Sequence, residues 1–555
     1  MHAMNPSSTQ RLVVDEPLPR RGFLRRGMLL GGGLVLAACG SSPSRPDRGA
    51  DSGTGELGNG RELGPGDVAR IDSISHTDGG SSGCVPTGGG GTPNIKLGMT
   101  FGQIKSAIES TPQNGIVNIE GGVYTLATGS NTAEINVPAG VTINGNCAEL
   151  RVYGQGRDAA MNNGTQRLYL RAYNSSIKIN SLVLRGRCSI WVGGNNIALT
   201  NVIVDQSNQY TSYPDLKYNR LDNAYACFLV YKSSIDVTFK NCEAWYADHH
   251  GFACFNYTEC SPMSLDKIRF LGCKAMHCGS GWEVDGNNPW ARGFDVFESC
   301  GTLTNLEVDG CLAYDCLQSG YYNEGDYQGH TPQNISGVYR NCHAEDCGIR
   351  IAHASINGTP LIVGLNGKQY GVPGDVYGEG FYVSGNVDIV NCTSKNNLRG
   401  FTVADAKIAG FKDEGSYFGG SVAGGSVESF VSKAARIFAF VSYGTISGSV
   451  SVVDFNSAGR PPVIFNWFTL AGQMEIAPKS YKDLFTNDGA VLLTDGKLAT
   501  TFCRFTRTCS AVTTAASPSL TITVNDHAYD TFDTCVKGWY KSAASSKNVT
   551  VKYAV

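Results

Sequence analysis

Charge is scarce in this chain, and so are long apolar runs. Only 17% of its 555 residues are charged, the formal net charge is −3, and there are just 8 Met. The first 38 residues hold five Arg and two acids, so the remainder carries −3 − 3 = −6. That leaves no basic stripe to follow a phosphate backbone, and nucleic acid is excluded as the partner. Past the N-terminal forty residues no segment offers the run of about 20 apolar residues that a membrane span needs. With 41% hydrophobic residues, disorder and a collagen-like repeat are excluded for most of the length. What the chain has in excess is Gly, 69 residues against a usual share of about 7%, with 25 Tyr and 23 Phe. That is a composition of strands and turns.

The first forty residues read as an address. Arg20-Arg21-Gly22-Phe23-Leu24, then Arg25, Arg26 and the apolar stretch Met28 to Leu36, is similar to a twin-arginine export signal. Leu36-Ala37-Ala38-Cys39 resembles a bacterial lipobox, which implies lipidation of Cys39 and cleavage before it. The reading over 1–39 is therefore a signal for export in the folded state, ending in a lipoprotein held periplasmically or at the cell surface. The membrane would be touched only through that N-terminal lipid. Residues 40–93 are rich in Gly, Ser, Pro and Asp and read as a flexible linker. Setting Cys39 aside leaves 18 of the 19 Cys, an even number in a disulfide-permissive setting, with the pairing open.

Folded structure is expected from 94. Phe101, Ile104, Ala107 and Ile108 share one helical face, and Ile116 to Tyr124 alternates like a strand and turn. A degenerate repeat follows: NCEAWYADHHGFACF from Asn241, GCKAMHCGSGWEVDG from Gly272, GCLAYDCLQSGYYNEG from Gly310, NCHAEDCGIRIAH from Asn341 and NCTSKNNLRGFTVAD from Asn391. The starts lie 31, 38, 31 and 50 residues apart, too irregular for leucine-rich repeats or propeller blades. Stacked coils with insertions fit. The repeat resembles the right-handed parallel β-helix of the pectin-lyase-like superfamily. The expected fold is all-β: this β-helix over 94–480, an N-terminal capping helix, and a small C-terminal cap over 481–555.

In such a stack, equivalent positions of successive coils form ladders that face alternately in and out. Cys242, Cys273, Cys311, Cys342 and Cys392 form one column, and Ala244, Ala275, Ala313, Ala344 and Ser394 form a small inward one. The recurring C-x4-C spacing at Cys273/Cys278, Cys311/Cys316 and Cys342/Cys347 reads as a packed ladder or a turn disulfide, since zinc sites do not repeat at every coil. After the turn Gly, Phe252, Trp282, Tyr321, Ile349 and Phe401 are predicted to point inward. On that register Glu283, Asp285, Tyr322, Glu324 and Arg350 share an outward face.

Two close carboxyl groups such as Asp285 and Glu324 can split into an acid and a base, which glycoside hydrolysis requires. Arg350 with Tyr322 suits elimination beside a uronate. Pectate and alginate lyases of this fold resemble the second plan, polygalacturonases the first, and neither full motif is present. Asp248-His249-His250 is distantly similar to the Asp and His of β-helix uronate epimerases, which places His250 among the catalytic candidates. Insertions on this side supply Trp290, Arg292, Asp326, His330 and Tyr213 as substrate-binding candidates, aromatics and polar groups suited to sugar faces and hydroxyls. No metal ligand set is assigned, and Ca²⁺ on the acidic ladder is the one open cofactor. The expected function is extracytoplasmic cleavage of polysaccharide by a lyase or hydrolase, acting as a monomer. The alternatives are a glycan-binding or adhesin-like rod and a uronate epimerase.

Overall fold

The computed structural model describes residues 84–86, 91–126, 133–152, 167–207, 226–247, 249–255, 263–279, 291–298, 301–323, 334–348, 355–356, 359–360, 378–416 and 418–435, and strands from 438 to 553. Its one described helix, Phe101–Glu109, starts at a capping box. Gln103 N–H donates to Thr100 Oγ1 at 3.3 Å while Thr100 N–H donates to Gln103 Oε1 at 2.8 Å. Ile104 and Ile108 bury its apolar face against the first coil. None of the described helices is long and apolar enough to cross a membrane.

Each coil adds one strand to each of three ladders. In one coil these are Ala226–Val230, Ser234–Lys240 and Glu243–Trp245; in the next they are His250–Phe255, Met263–Leu271 and Lys274–Met276. The pairing is parallel and in register, with Phe228 beside Phe252, Phe239 beside Phe270 and Ala244 beside Ala275. Later coils enter the first ladder with Arg292–Glu298, Ser319–Asn323, Glu379–Ser384 and Arg399–Ala404. The stack is the right-handed parallel β-helix that the repeat predicts. Past residue 480, Ser519–Val524 and Asn548–Tyr553 extend the third ladder in parallel, while Ala490–Asp495, Leu498–Arg504 and Thr508–Cys509 pair antiparallel.

Backbone geometry explains the Asn-or-Gly that opens every repeat. The residue between the second and third ladders is left-handed, with φ of 54° at Asn201, 51° at Asn241, 63° at Gly272, 62° at Gly310 and 53° at Asn341 and Asn391. Asn and Gly tolerate that conformation best. The Cys that follows turns inward. Cys273 and Cys311 each place Sγ 3.3 Å from a carbonyl of the preceding coil, of Phe239 and Phe270, as weak donors. Eleven described cysteines form no disulfide and are buried, so the C-x4-C pairs are packed columns and not turn disulfides. The described disulfide, Cys84–Cys147, fastens the chain to the strand Thr142–Val152 at a point the composition assigned to the linker. Burial pushes the thiols of Cys188 and Cys254 up.

The core is an aromatic file. Ring centroids are 4.7 Å apart for Phe228 and Phe252, 4.8 Å for Phe252 and Phe294, 4.9 Å for Phe294 and Tyr321, and 4.5 Å for Tyr321 and Phe381. These distances match the rung spacing of the strands themselves. Phe294 and Phe381 thus take the inward positions that the sequence register gave to Trp282 and Ile349. The inward Ala column also holds, then turns polar, because Ser394 pairs with Asp413. Asp413 Oδ1 accepts hydrogen bonds from Ser394 Oγ and Ser416 Oγ, each at 2.5 Å. Alkylation of the native protein, followed by mass spectrometry, should leave the eleven buried cysteines unmodified, and modification should appear only on unfolding.

Candidate active site

The first ladder carries a motif of polar residue, Gly and aromatic: His250-Gly251-Phe252, Arg292-Gly293-Phe294, Ser319-Gly320-Tyr321, Glu379-Gly380-Phe381 and Arg399-Gly400-Phe401. The Gly is enforced by close approach. A Cβ on Gly293 would lie 2.7 Å from the Gly320 carbonyl oxygen and 2.9 Å from Cys316 Sγ. Gly and aromatic both face the core, so the residue before the Gly and the one after the aromatic face outward together. Two outward columns result. One runs His250, Arg292, Ser319, Glu379, Arg399; the other runs Leu229, Ala253, Asp295, Tyr322, Tyr382, Thr402.

Arg292 is the hub. Its Nη1 donates to Asp295 Oδ2 at 2.7 Å, its Nε donates to Gln318 Oε1 at 3.0 Å, and its guanidinium carbon lies 3.3 Å from the Tyr322 ring centroid. His250 Nε2 sits 3.4 Å from the same Asp295 oxygen, with the His249 ring 4.0 Å from the His250 ring. Arg292, Asp295 and His250 are all fully buried. Two charges removed from water are tolerable only because they face each other, and breaking such a pair costs about 3–5 kcal/mol. Burial holds both histidines well below their usual range, helped by the Arg292 charge at His249 and by His249 and then Arg292 at His250, so they are neutral at pH 7.

Glu379 lies two coils on, fully buried, accepting from Ser319 Oγ at 3.2 Å with Arg399 Nη1 at 3.7 Å. Burial raises its pKa to about 7 against the opposing charges of Arg399 and Arg292. Asp295 and Glu379 are therefore two carboxyl groups in unlike settings, one ion-paired and one ready to carry a proton near neutrality. They stand two rungs apart, about 10 Å along the helix axis, in adjacent outward columns. Tyr322 stacks on Tyr382 at 4.7 Å between them. Among the described residues no cluster of three His, Cys, Asp or Glu could hold a metal ion.

Of the residues the sequence singled out, the structure brings together Tyr322, His250 and Arg292. Arg292 stands in a ladder strand rather than in an insertion, and its guanidinium is committed to Asp295. Glu283, Asp285, Trp290, Glu324, Asp326, His330, Arg350, Tyr213 and Cys39 lie outside the described residues. The strand in register with Phe252 is Arg292–Glu298, and the one in register with Tyr321 is Glu379–Ser384. Gly281-Trp282 carries the same Gly-aromatic pair twelve residues before Gly293-Phe294, which drew the sequence register to it. Asp295 was missed for that reason; Gln318, Ser319, Glu379 and Arg399 were missed because the positions before the turn Gly were not read as outward, and the polar-Gly-aromatic triplet is the signal that finds them.

No protein-family model matches the chain and no curated protein matches it. Solved structures similar to it include an endo-xylogalacturonan hydrolase from Aspergillus tubingensis, at 11% identity and a TM-score of 0.30, covering 77% of this chain and 98% of that one. A pectate lyase, Pel9A, matches at 14% identity and a TM-score of 0.26, covering 62% and 71%. An alginate lyase in complex with G6 matches at 9% identity and a TM-score of 0.30, covering 70% and 85%.

The pKa of Glu379 sets a pH test. An acid whose folded pKa lies above its ordinary value of 4.5 stabilises the fold below that value, and the contribution is lost as pH rises toward about 7. Asp413, also raised to about 7 by burial, acts in the same sense, and the neutral histidines act oppositely. Comparison with Glu379→Gln isolates one group. The unfolding free energy of the wild type, relative to this variant, should fall by on the order of 3 kcal/mol between pH 4.5 and 7.5 and then level off.

Proposed function

We propose that the protein is a polysaccharide-active enzyme that hydrolyses glycosidic bonds on the outward face of the first ladder. The observation that carries this reading is the presence of two unlike carboxyl groups in adjacent outward columns, Asp295 held by Arg292 and Glu379 with a pKa of about 7. Glu379 protonates the leaving oxygen. Asp295, held in place by Arg292 and flanked by neutral His250, activates water or attacks the sugar carbon. An offset of two rungs, about 10 Å along the axis, exceeds the separation of about 5–5.5 Å in a pair that forms a covalent intermediate, and so favours water as the nucleophile and inversion at the anomeric carbon. Tyr322 and Tyr382, buried and stacked on each other, hold the outward columns at the rung spacing between the two groups.

The same reading places the enzyme outside the cytoplasm, exported by the twin-arginine route and tethered by lipid at Cys39. The support is the Arg20-Arg21 signal and the lipobox. The polysaccharide is its partner, and the protein works as a monomer. No cofactor enters the mechanism.

The test incubates purified protein with acidic and neutral polysaccharides, with and without chelator, following reducing ends and the ultraviolet absorbance of unsaturated uronates. Reducing ends without absorbance, insensitive to chelator, are expected. Glu379→Gln should lower kcat by about 10²–10⁴-fold and abolish the decline of rate above pH 7. Asp295→Asn should lower it comparably, with a stability loss from the uncompensated Arg292. Absorbance rising with reducing ends would replace hydrolysis by elimination.

A further inference from the structure

The column that holds Asp295 continues toward the N-terminal end of the stack, and its chemistry changes on the way. Register carries it back through Ala253 and Leu229 to Trp191 and then Arg171. Trp191 therefore stands three rungs from Asp295, about 14 Å along the helix axis. Leu229 and Ala253 form the apolar floor between them, packed with Trp191, Tyr231 and Phe255.

Around Trp191 the surface is aromatic and cationic. Its ring centroid is 4.8 Å from that of Tyr169 and 5.2 Å from that of Tyr231, which in turn lies 6.4 Å from Tyr173. Trp191, Tyr231 and Tyr173 are half-buried. The guanidinium of Arg171 lies 5.5 Å from both the Tyr173 and Trp191 ring centroids, and it also pairs with Glu134. Lys232 Nζ lies 4.5 Å from the Tyr173 ring centroid, is exposed, and faces no carboxylate among the described residues. A cluster of aromatics at partial exposure, rimmed by cations, is more than a soluble surface requires.

We propose that Trp191, Tyr231, Arg171 and Lys232 form a distal subsite for an anionic saccharide unit of the bound polymer. The C–H face of the pyranose rests on Trp191 and Tyr231. Its negative group, a uronate carboxylate or a sulfate ester, meets Lys232 and Arg171. The inference rests on the reading that this face binds polysaccharide. It adds that the chain lies along the helix axis and carries negative charge about three rungs from the reacting bond.

Equilibrium binding tests it independently of cleavage. The Glu379→Gln variant, which leaves the polymer intact, is titrated with a polyuronate, a sulfated glycan and an uncharged glycan at low and high salt. Salt-sensitive binding of a charged polymer is expected, weakened about tenfold by Lys232→Glu and by Trp191→Ala. Whichever charged polymer binds tells carboxylate from sulfate. Lys232 is exposed, so its substitution keeps the test valid where loss of Trp191 disturbs folding. Equal binding by the parent and Lys232→Glu, or equal binding of the uncharged polymer, would overturn the subsite. Charge-dependent binding lost in both variants, with no polymer ever cleaved by the wild type, would keep the subsite and refute the hydrolase.

Discussion

Five coils, those entered at Gly251, Gly293, Gly320, Gly380 and Gly400, join the first ladder through a gap too narrow for a side chain. Four of these Gly press against the Ala and Cys columns of the third ladder's side, and Gly400 presses against Asp413. At Gly251 an added Cβ would lie 3.0 Å from both Ala275 Cβ and Cys278 Sγ. The small residues of one wall and the absent side chain of the other are one constraint seen from two sides. Once it is met, the next residue can only be a core aromatic stacked at the rung spacing. The flanking residues are driven outward. Packing thus decides where chemistry can stand.

The same constraint accounts for the electrostatics. An outward residue fixed at its rung cannot move away from its neighbours, so charges placed in adjacent rungs must match or be neutralised. Arg292 is answered by Asp295 within its own strand, and Glu379 by Ser319 and Arg399 on the coils to either side. Inside the stack Asp413 is accommodated by two serines in place of an ion pair. Glu379 and Asp413 both lie deep enough that burial outweighs their partners, and both carboxyl pKa values rise to about 7. A buried carboxyl group of that kind inside the stack is a local cost, whereas on the outward face it is the group that the proposed hydrolysis uses as its acid.

The architecture was legible in the sequence because the left-handed turn demands Asn or Gly and the next position demands a small inward residue, and both demands recur at each coil. The Cys and Ala columns stood where the sequence placed them. The site was half legible. Tyr322 and His250 were found from strands whose turn precedes them directly, but Asp295 and Glu379 were not. The chain between Cys278 and Ala291, and between Gly348 and Gly378, is long enough that alternation cannot be counted across it. Gly281-Trp282 offered a false landmark within the first of these stretches. Arg292 was read as a loop residue for the same reason.

Register is the claim on which the site depends, and a double-mutant cycle across coils measures it. Phe252→Leu and Phe294→Leu, singly and together, are followed by the free energy of unfolding, with Trp282→Leu paired to Phe252→Leu as the competing register. Direct stacking of Phe252 on Phe294 at 4.8 Å requires a coupling of about 0.5–1.5 kcal/mol between them and none with Trp282. Additivity of Phe252 and Phe294 within about 0.3–0.5 kcal/mol, with coupling to Trp282 instead, would contradict it and would remove Asp295 from the row.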